Sequence, residues 1–215
     1  MDPAVLINGL LMYITLVVLL TFHEFGHAWV AWKCGDDTAR LQGRVSLNPL
    51  VHIDPIGTIV LPLLMIFLTP ISRFLVGWAK PVPVNPLNLR HERVDDILVT
   101  LAGPAMNLLL AVALLGLARI GFMFDSPAMA NFCGDAAYIS LLLCFFNLLP
   151  IPPLDGSQVV RSLIGMSYED YHRFSRYGFL ILILVLQVPG VRIALAAVTG
   201  TTWVIIAGWF GISRA

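Results

Sequence analysis

The chain has 215 residues, of which 58% are hydrophobic and only 12% are charged, and its formal net charge is zero. Soluble domains carry about 25% charged residues, so this composition excludes an ordinary soluble protein and is typical of a membrane protein. A neutral chain also argues against a nucleic-acid partner. Because the connectors between apolar runs are brief, we expect one membrane-embedded domain over residues 1–215.

Long charge-free runs predict the membrane-spanning helices. A helix needs about 20 apolar residues to cross a hydrocarbon layer of about 30 Å. The runs are 5–22, 55–72, 97–118, 136–154 and 193–213, with a shorter one at 177–191. The sequence therefore predicts an all-α polytopic membrane protein with about six transmembrane helices. Lys and Arg in alternate connectors number five on one side, including Arg44, and eight on the other, including Arg161, which does not fix the orientation.

The first run leads into TFHEFGHAWVAW at residues 21–32, where two histidines and a glutamate follow an apolar stretch. His23 and His27 are four residues apart, so a helix places both imidazoles on one face, where they can bind a single ion. Glu24 can point at a water on that ion. This is the HExxH pattern, with two zinc ligands and a general base. Packing alone does not explain such groups, because polar side chains are costly in lipid.

Residues 35–55 are too polar, and too rich in Gly, Asn and Pro, for a span. They predict a re-entrant loop or short β-hairpin after the first helix. His52 and Asp54, at its end, are candidates for extra metal ligands, for a pair that orients a zinc histidine, or for plain loop residues. In AGPAMN, Gly103 and Ala105 allow close helix contact. Asn107 is expected to bond a neighbouring helix, with transition-state stabilisation as the alternative.

A catalytic zinc normally has three protein ligands, and Asp155 in FFNLLPIPPLDGSQ is the candidate for the third. The prolines of this stretch break any helix, and broken backbone at membrane depth survives only where protein or a water-filled cavity covers it. Asp155 could instead be a helix cap. Asn147, just before the prolines, could bind an extended peptide or an oxyanion, or could satisfy the broken helix end.

Five motifs in order resemble the site-2 protease family of intramembrane zinc metalloproteases. They are HEFGH, GRVSLNPLVHIDPIGT (43–58), GWAKPVPVNPLNLR (77–90), AGPAMN (102–107) and NLLPIPPLDG (147–156). The likeness is to the short prokaryotic branch without PDZ or CBS domains. It covers a core at about 5–165, and the C-terminal helices at about 173–213 carry no recognised motif.

The resemblance implies one Zn²⁺ per chain, bound by His23, His27 and Asp155, with Glu24 as the catalytic residue and Asn147 binding the substrate backbone. The expected activity is endoproteolysis within or near transmembrane segments of other membrane proteins, as in regulated intramembrane proteolysis. The partners would be a transmembrane protein or peptide and the lipid bilayer. The expected location is a prokaryotic plasma membrane, crossed several times, with the active site facing the cytoplasm. An edge of the 35–55 segment would accept the unwound substrate as an added strand.

Two alternatives remain, one from another class of protein and one that keeps the protease function. A membrane metal-binding or transport protein could use the same His, Glu and Asp residues to conduct an ion, since ionisable groups in membranes mark ion pathways. Another type of membrane zinc protease would take a downstream glutamate as third ligand, for which Glu92 and Glu169 are the only later glutamates.

Overall fold

The computed structural model describes residues 3–68 and 77–212. These residues contain nine α-helices, three short 3₁₀ or π-helical turns and no β-strand. The helices fall into two compact units, Met1–Arg90 and His91–Ala215. The all-α architecture predicted from the sequence is confirmed. Between the first two apolar helices the described chain forms loops and short turns of helix, so the hairpin alternative is not seen.

In the first unit, a long helix is followed by short elements. They are α1 (Pro3–Lys33), α2 (Thr38–Leu41), a 3₁₀ turn (Pro49–His52), a π-helical turn (Pro55–Val60), α3 (Leu61–Leu68) and a second 3₁₀ turn (Pro86–Asn88). Helix α1 packs against α2, the first 3₁₀ turn and α3. Residues 69–72 of the second predicted run lie outside the described residues.

Residues 77–82 of the first unit form neither helix nor strand, and hydrogen bonds and a close ring contact at Trp78 fix their position. The N–H of Trp78 donates to the carbonyl of Gly57 at 3.2 Å, and the hydroxyl of Thr58 donates to the carbonyl of Trp78 at 2.8 Å. The Trp78 indole lies so close to Gly57 that a Cβ there would meet the ring at 2.3 Å. Only glycine permits this approach.

The second unit is a bundle of six helices. They are α4 (Glu92–Met123), α5 (Pro127–Asn147), α6 (Asp155–Ile164), α7 (Tyr168–Ser175), α8 (Gly178–Gln187) and α9 (Pro189–Trp209). Helix α4 packs against α5 and α6, and α5 also packs against α9. The core between them is lined by small and apolar side chains from α4, α5 and α9: Ala111, Leu115, Ala137, Leu141, Trp203, Ile206 and Ala207. Small residues let the helix backbones approach closely, as is usual in membrane bundles.

Among the described residues, four helices are long and apolar enough to cross a membrane: Leu6–Lys33, Glu92–Met123, Pro127–Asn147 and Pro189–Trp209. Pro55–Phe67 and Gly178–Gln187 are shorter apolar helices. Only 28–44% of the most apolar window of each long helix is buried, so most of this surface faces outward, where lipid would cover it. The composition of the helices thus matches a polytopic membrane protein.

Candidate metal centre and active site

Helix α1 carries the two histidines on one buried face. Unbroken helix runs from Pro3 to Lys33, so the spacing of four residues stacks His27 one turn beyond His23. The two side chains are 4% and 9% exposed. Their rings meet edge to face, with centroids 4.7 Å apart, and the two Nε2 atoms lie 3.1 Å from each other. Both ring nitrogens therefore converge on a common point.

This convergence fits a zinc ion. Zn–N distances of about 2.0–2.1 Å and a tetrahedral angle require two ligand nitrogens to be about 3.3 Å apart. The observed 3.1 Å between the Nε2 atoms is close to this value. The histidine pair needs almost no rearrangement to bind a metal.

Glu24 is half-buried beside this pair and is held by backbone. Its Oε2 accepts a hydrogen bond from the N–H of Val82 at 3.0 Å. The charge of Glu24 also acts on two neighbouring groups, Arg44 and His52. Burial lowers the pKa of each of them, and the negative charge of Glu24 partly offsets this by raising it. Glu24 therefore lies in a small polar cluster of the first unit.

Asp155 is the first residue of α6, in the second unit. The residue is half-buried and its Oδ2 atom is fully buried. The backbone reaches this position through a series of tight turns at residues 148–154, where the N–H groups of Ile151 and Leu154 bond carbonyls two and three residues back. Gly156 packs directly on that turn, since a Cβ there would lie 2.2 Å from the carbonyl oxygen of Leu148. The Asp-Gly pair thus allows a carboxylate to emerge from a very tight corner.

Asn147 is the last residue of α5 and is half-buried. Its Nδ2 donates to the carbonyl of Leu143 at 2.9 Å, one turn back in the same helix. One amide hydrogen is therefore bonded within α5. The binding of substrate by Asn147 stays a prediction.

Asn107 lies in the middle of α4 and is fully buried. The hydroxyl of Ser140 on α5 donates to the backbone carbonyl of Asn107 at 2.7 Å. The two helices are thus bonded at this position, through the main chain of Asn107. Gly103 is buried as expected, but Ala105 faces outward.

His52 and Asp54 take different roles in the loop. His52 is 2% exposed, and its Nε2 lies 2.8 Å from the carbonyl oxygen of Ser46. The Asp54 carboxylate caps the π-helical turn, accepting from the N–H groups of Ile56 at 3.0 Å and Gly57 at 2.7 Å. Within the described residues, neither belongs to a cluster of three potential metal ligands. The loop interpretation is the one these contacts support for Asp54.

Comparison with known proteins identifies the family of this chain. Peptidase family M50 matches residues 11–125 and 123–186. The chain belongs to peptidase family M50. This is the site-2 protease family, so the resemblance drawn from the motifs is confirmed, and the match extends about twenty residues past the expected end of the core at 165. No solved structure matches this M50 chain significantly.

Relatives of this M50 chain carry names that describe zinc metalloproteases. The chain is 37% identical over 186 residues to "Putative zinc metalloprotease YwhC" of Bacillus subtilis, an alignment covering 83% of this chain and 80% of that protein. It is 36% identical over 177 residues to "Putative zinc metalloprotease Rip2" of Mycolicibacterium smegmatis, covering 80% of this chain and 65% of the relative. The chain is therefore an M50 zinc metalloprotease of the membrane, and its cofactor is zinc.

The alternative glutamate ligands do not lie in a polar interior of the M50 chain. Glu92 is exposed in the first turn of α4. Glu169 is exposed on α7 and pairs with Arg173 at 2.7 Å. Both are surface carboxylates, so the structure gives no support to a zinc site with a downstream glutamate as third ligand.

Arg161, which the sequence analysis counted among the connector charges, belongs to a buried network in the second unit. The Asp96 carboxylate, on α4, accepts hydrogen bonds from Arg161 and Ser162 of α6 and, at 2.7 Å, from the hydroxyl of Tyr168. The Arg161 guanidinium lies over the Tyr168 ring, 3.6 Å from its centroid. Burial and the neighbouring Asp96 raise the pKa of Tyr168, so its hydroxyl stays protonated and donates. This network fastens the helix that begins at Asp155.

A second contact secures the first turn of α6 in the M50 chain. The hydroxyl of Ser157 donates to the carbonyl of Leu154 at 2.7 Å, and the Tyr171 hydroxyl lies 2.8 Å from the Ser157 oxygen. Burial raises the pKa of Tyr171, which keeps this donor protonated. The sequence does not indicate that these side chains are buried, because Asp, Arg and Tyr in short connectors ordinarily face solvent.

Proposed function

We propose that the chain is an intramembrane zinc endopeptidase, with one zinc held by His23, His27 and Asp155 and with Glu24 as general base. The observation that carries the proposal is the pair of buried Nε2 atoms 3.1 Å apart on α1, next to a half-buried glutamate. Membership of family M50 supports the same roles, because the HEFGH and LDG motifs match the family's motifs residue by residue.

When bound, zinc would polarise the scissile carbonyl and lower the pKa of its water to about 7. The chain's own residues supply the remaining chemistry. Glu24 Oε1 takes a proton from the attacking water and delivers it to the leaving amine nitrogen. The Asn147 side-chain amide, at the end of α5, donates to the substrate backbone near the reacting carbonyl.

We propose a transmembrane segment of another membrane protein as the substrate. A helix hides its carbonyls in its own hydrogen bonds, so the segment must unwind before it is cut. His23 is twenty residues into α1, or about 30 Å along it, which is one hydrocarbon thickness from its start. We propose on this basis that the site lies near one membrane face, and the family resemblance supports the cytoplasmic face of a prokaryotic plasma membrane.

The expected mode of substrate binding stays a proposal, with one group of the segment already occupied. The sequence suggests that an edge of residues 35–55 pairs with the substrate. In the structure, the carbonyl of His52 is already paired with the N–H of Lys80 at 2.9 Å. We therefore propose that the substrate pairs with other backbone groups of residues 35–55.

The test uses purified protein in liposomes with a synthetic transmembrane peptide. Wild type should release peptide fragments identified by mass spectrometry, and Glu24→Gln should lose nearly all cleavage, since the amide cannot accept a proton at neutral pH. Glu92→Gln, a matched change at an exposed glutamate, should cut at the wild-type rate. Wild-type liposomes that accumulate zinc but cut no peptide would support an ion-transport function instead.

A further inference from the structure

Alternate N–H groups of residues 77–82 donate hydrogen bonds within the first unit. Trp78 donates to the carbonyl of Gly57 at 3.2 Å and Lys80 to that of His52 at 2.9 Å. The third donor in this alternating row is the N–H of Val82. Its acceptor is a side chain, the Glu24 carboxylate, at 3.0 Å. A row of backbone bonds thus ends on the residue assigned as base.

Arg44 holds the same stretch from the other direction. Its Nη2 donates to the carbonyl of Lys80 at 2.5 Å and lies 3.3 Å from the carbonyl of Pro81. The Arg44 residue is only 5% exposed, which is unusual for a charged side chain and requires compensation. Main-chain carbonyls and the nearby charge of Glu24 provide that compensation.

The carbonyl of Pro81 and the N–H of Val82 belong to one peptide unit. In a trans peptide these groups lie in one rigid plane and point in opposite directions within it. Arg44 therefore binds one edge of the peptide and Glu24 the opposite edge, with the peptide dipole aligned between cation and anion. Pro81 and Pro83 restrict the backbone on both sides of Val82, which keeps the plane from rotating.

We propose that Arg44 and the Pro81–Val82 peptide form a brace that orients the Glu24 carboxylate for proton transfer. The brace anchors Oε2 through the Val82 N–H and leaves Oε1 to take the proton. Arg44 is a positioning residue in this scheme, because it acts on Glu24 through the peptide. The inference rests on the proposed function, in which Glu24 is the base, but the hydrogen bond itself can be tested without any cleavage assay.

The first test is spectroscopic and uses the small number of Pro–Val pairs in the sequence. Pro–Val pairs occur only at 81–82 and 83–84, so protein labelled with ¹³C at the proline carbonyl and ¹⁵N at valine shows two correlated amides. Val84 is the internal control, since its N–H makes no hydrogen bond within the described residues. The Val82 amide should exchange with solvent at least about tenfold more slowly than that of Val84.

In Glu24→Ala, the exchange of the Val82 amide should rise to that of Val84, while the Val84 signal stays in place. Equal exchange of the two amides in the wild type, or a Val82 signal unmoved in Glu24→Ala, would overturn the brace. Neither result depends on whether the protein cuts peptides, so failure of the brace and failure of the proposed function are distinguishable.

The second test measures catalysis with Val82→Pro, which deletes the donor, and Val84→Pro, which deletes an unused N–H two residues later. Val82→Pro should keep its zinc and a KM within about twofold, while kcat falls about 10- to 100-fold, as expected for a misoriented base. Val84→Pro should stay within about twofold in both constants. Equal kcat for Val82→Pro and wild type, or an equal loss in both variants, would contradict the positioning role.

Discussion

Breaking the buried ion pair between Arg161 and Asp96 should strongly destabilise the second unit. The two side chains are only 5% and 9% exposed. Arg161→Met keeps much of the side-chain volume but leaves the Asp96 charge buried. The remaining donors to it among the described residues are the hydroxyls of Ser162 and Tyr168. Loss of one partner of a buried pair costs about 3–5 kcal/mol. We expect a loss of about that size in the free energy of unfolding.

The assay is reversible unfolding in detergent micelles, followed by helical circular dichroism. Arg173→Met is the matched control, because Arg173 and Glu169 are 65% and 77% exposed and such pairs contribute about 0–1 kcal/mol. The double variant Asp96→Leu with Arg161→Met should recover most of the lost stability, since no charge is then left unpaired. A loss below about 1 kcal/mol in Arg161→Met, or no recovery in the double variant, would refute this explanation.

Three further changes test other parts of the structure. Gly156→Ala should displace the start of α6, because the new Cβ would meet the Leu148 carbonyl, and should weaken zinc binding by at least about tenfold in a competition titration. Gly200→Ala, whose Cβ would have nothing within 4 Å, should leave zinc binding unchanged. Burial would raise the pKa of Asp36, but hydrogen bonds from Thr38, Asn88 and Asn85 lower it below 3.8. The ionised carboxylate therefore stabilises the fold fully above pH 3.8, and this stabilisation is lost as the pH falls below that value. Asp36→Asn should accordingly show a smaller drop in melting temperature than wild type between about pH 6 and pH 3. Asn147→Ala should keep zinc and melting temperature while activity falls about 10- to 1000-fold, and a destabilised variant whose folded fraction cuts at the wild-type rate would argue against substrate binding.

The parts of the fold that follow one-dimensional patterns were predictable. Charge-free runs located the apolar helices, because lipid-facing helices need apolar side chains along their whole length. The boundaries were less accurate. Helix α5 begins at Pro127, nine residues before the run at 136–154, because it includes Asp135, and α1 continues to Lys33 past its three polar site residues. A charge near a helix end interrupts a hydropathy run without ending the helix.

The histidine pair and the corner at Asp155 were also readable, since both depend on local spacing and on proline. The brace and the Arg161 network were not. Arg44 and Arg161 both entered the connector charge count, yet each is only 5% exposed. Their partners are 36 and 65 residues away in sequence, and nothing in either local stretch indicates such a pairing. Contacts of this range depend on the tertiary fold.

The measurement that tests the central claim most directly is the zinc content of purified variants, by elemental analysis against protein concentration. Wild type and Glu24→Gln should each carry one zinc per chain. Asp155→Ala, and the double variant His23→Ala with His27→Ala, should fall well below that in equally folded preparations, because two or fewer ligands do not hold a catalytic zinc. Full zinc content in the double histidine variant, or in Asp155→Ala, would contradict the proposed metal centre.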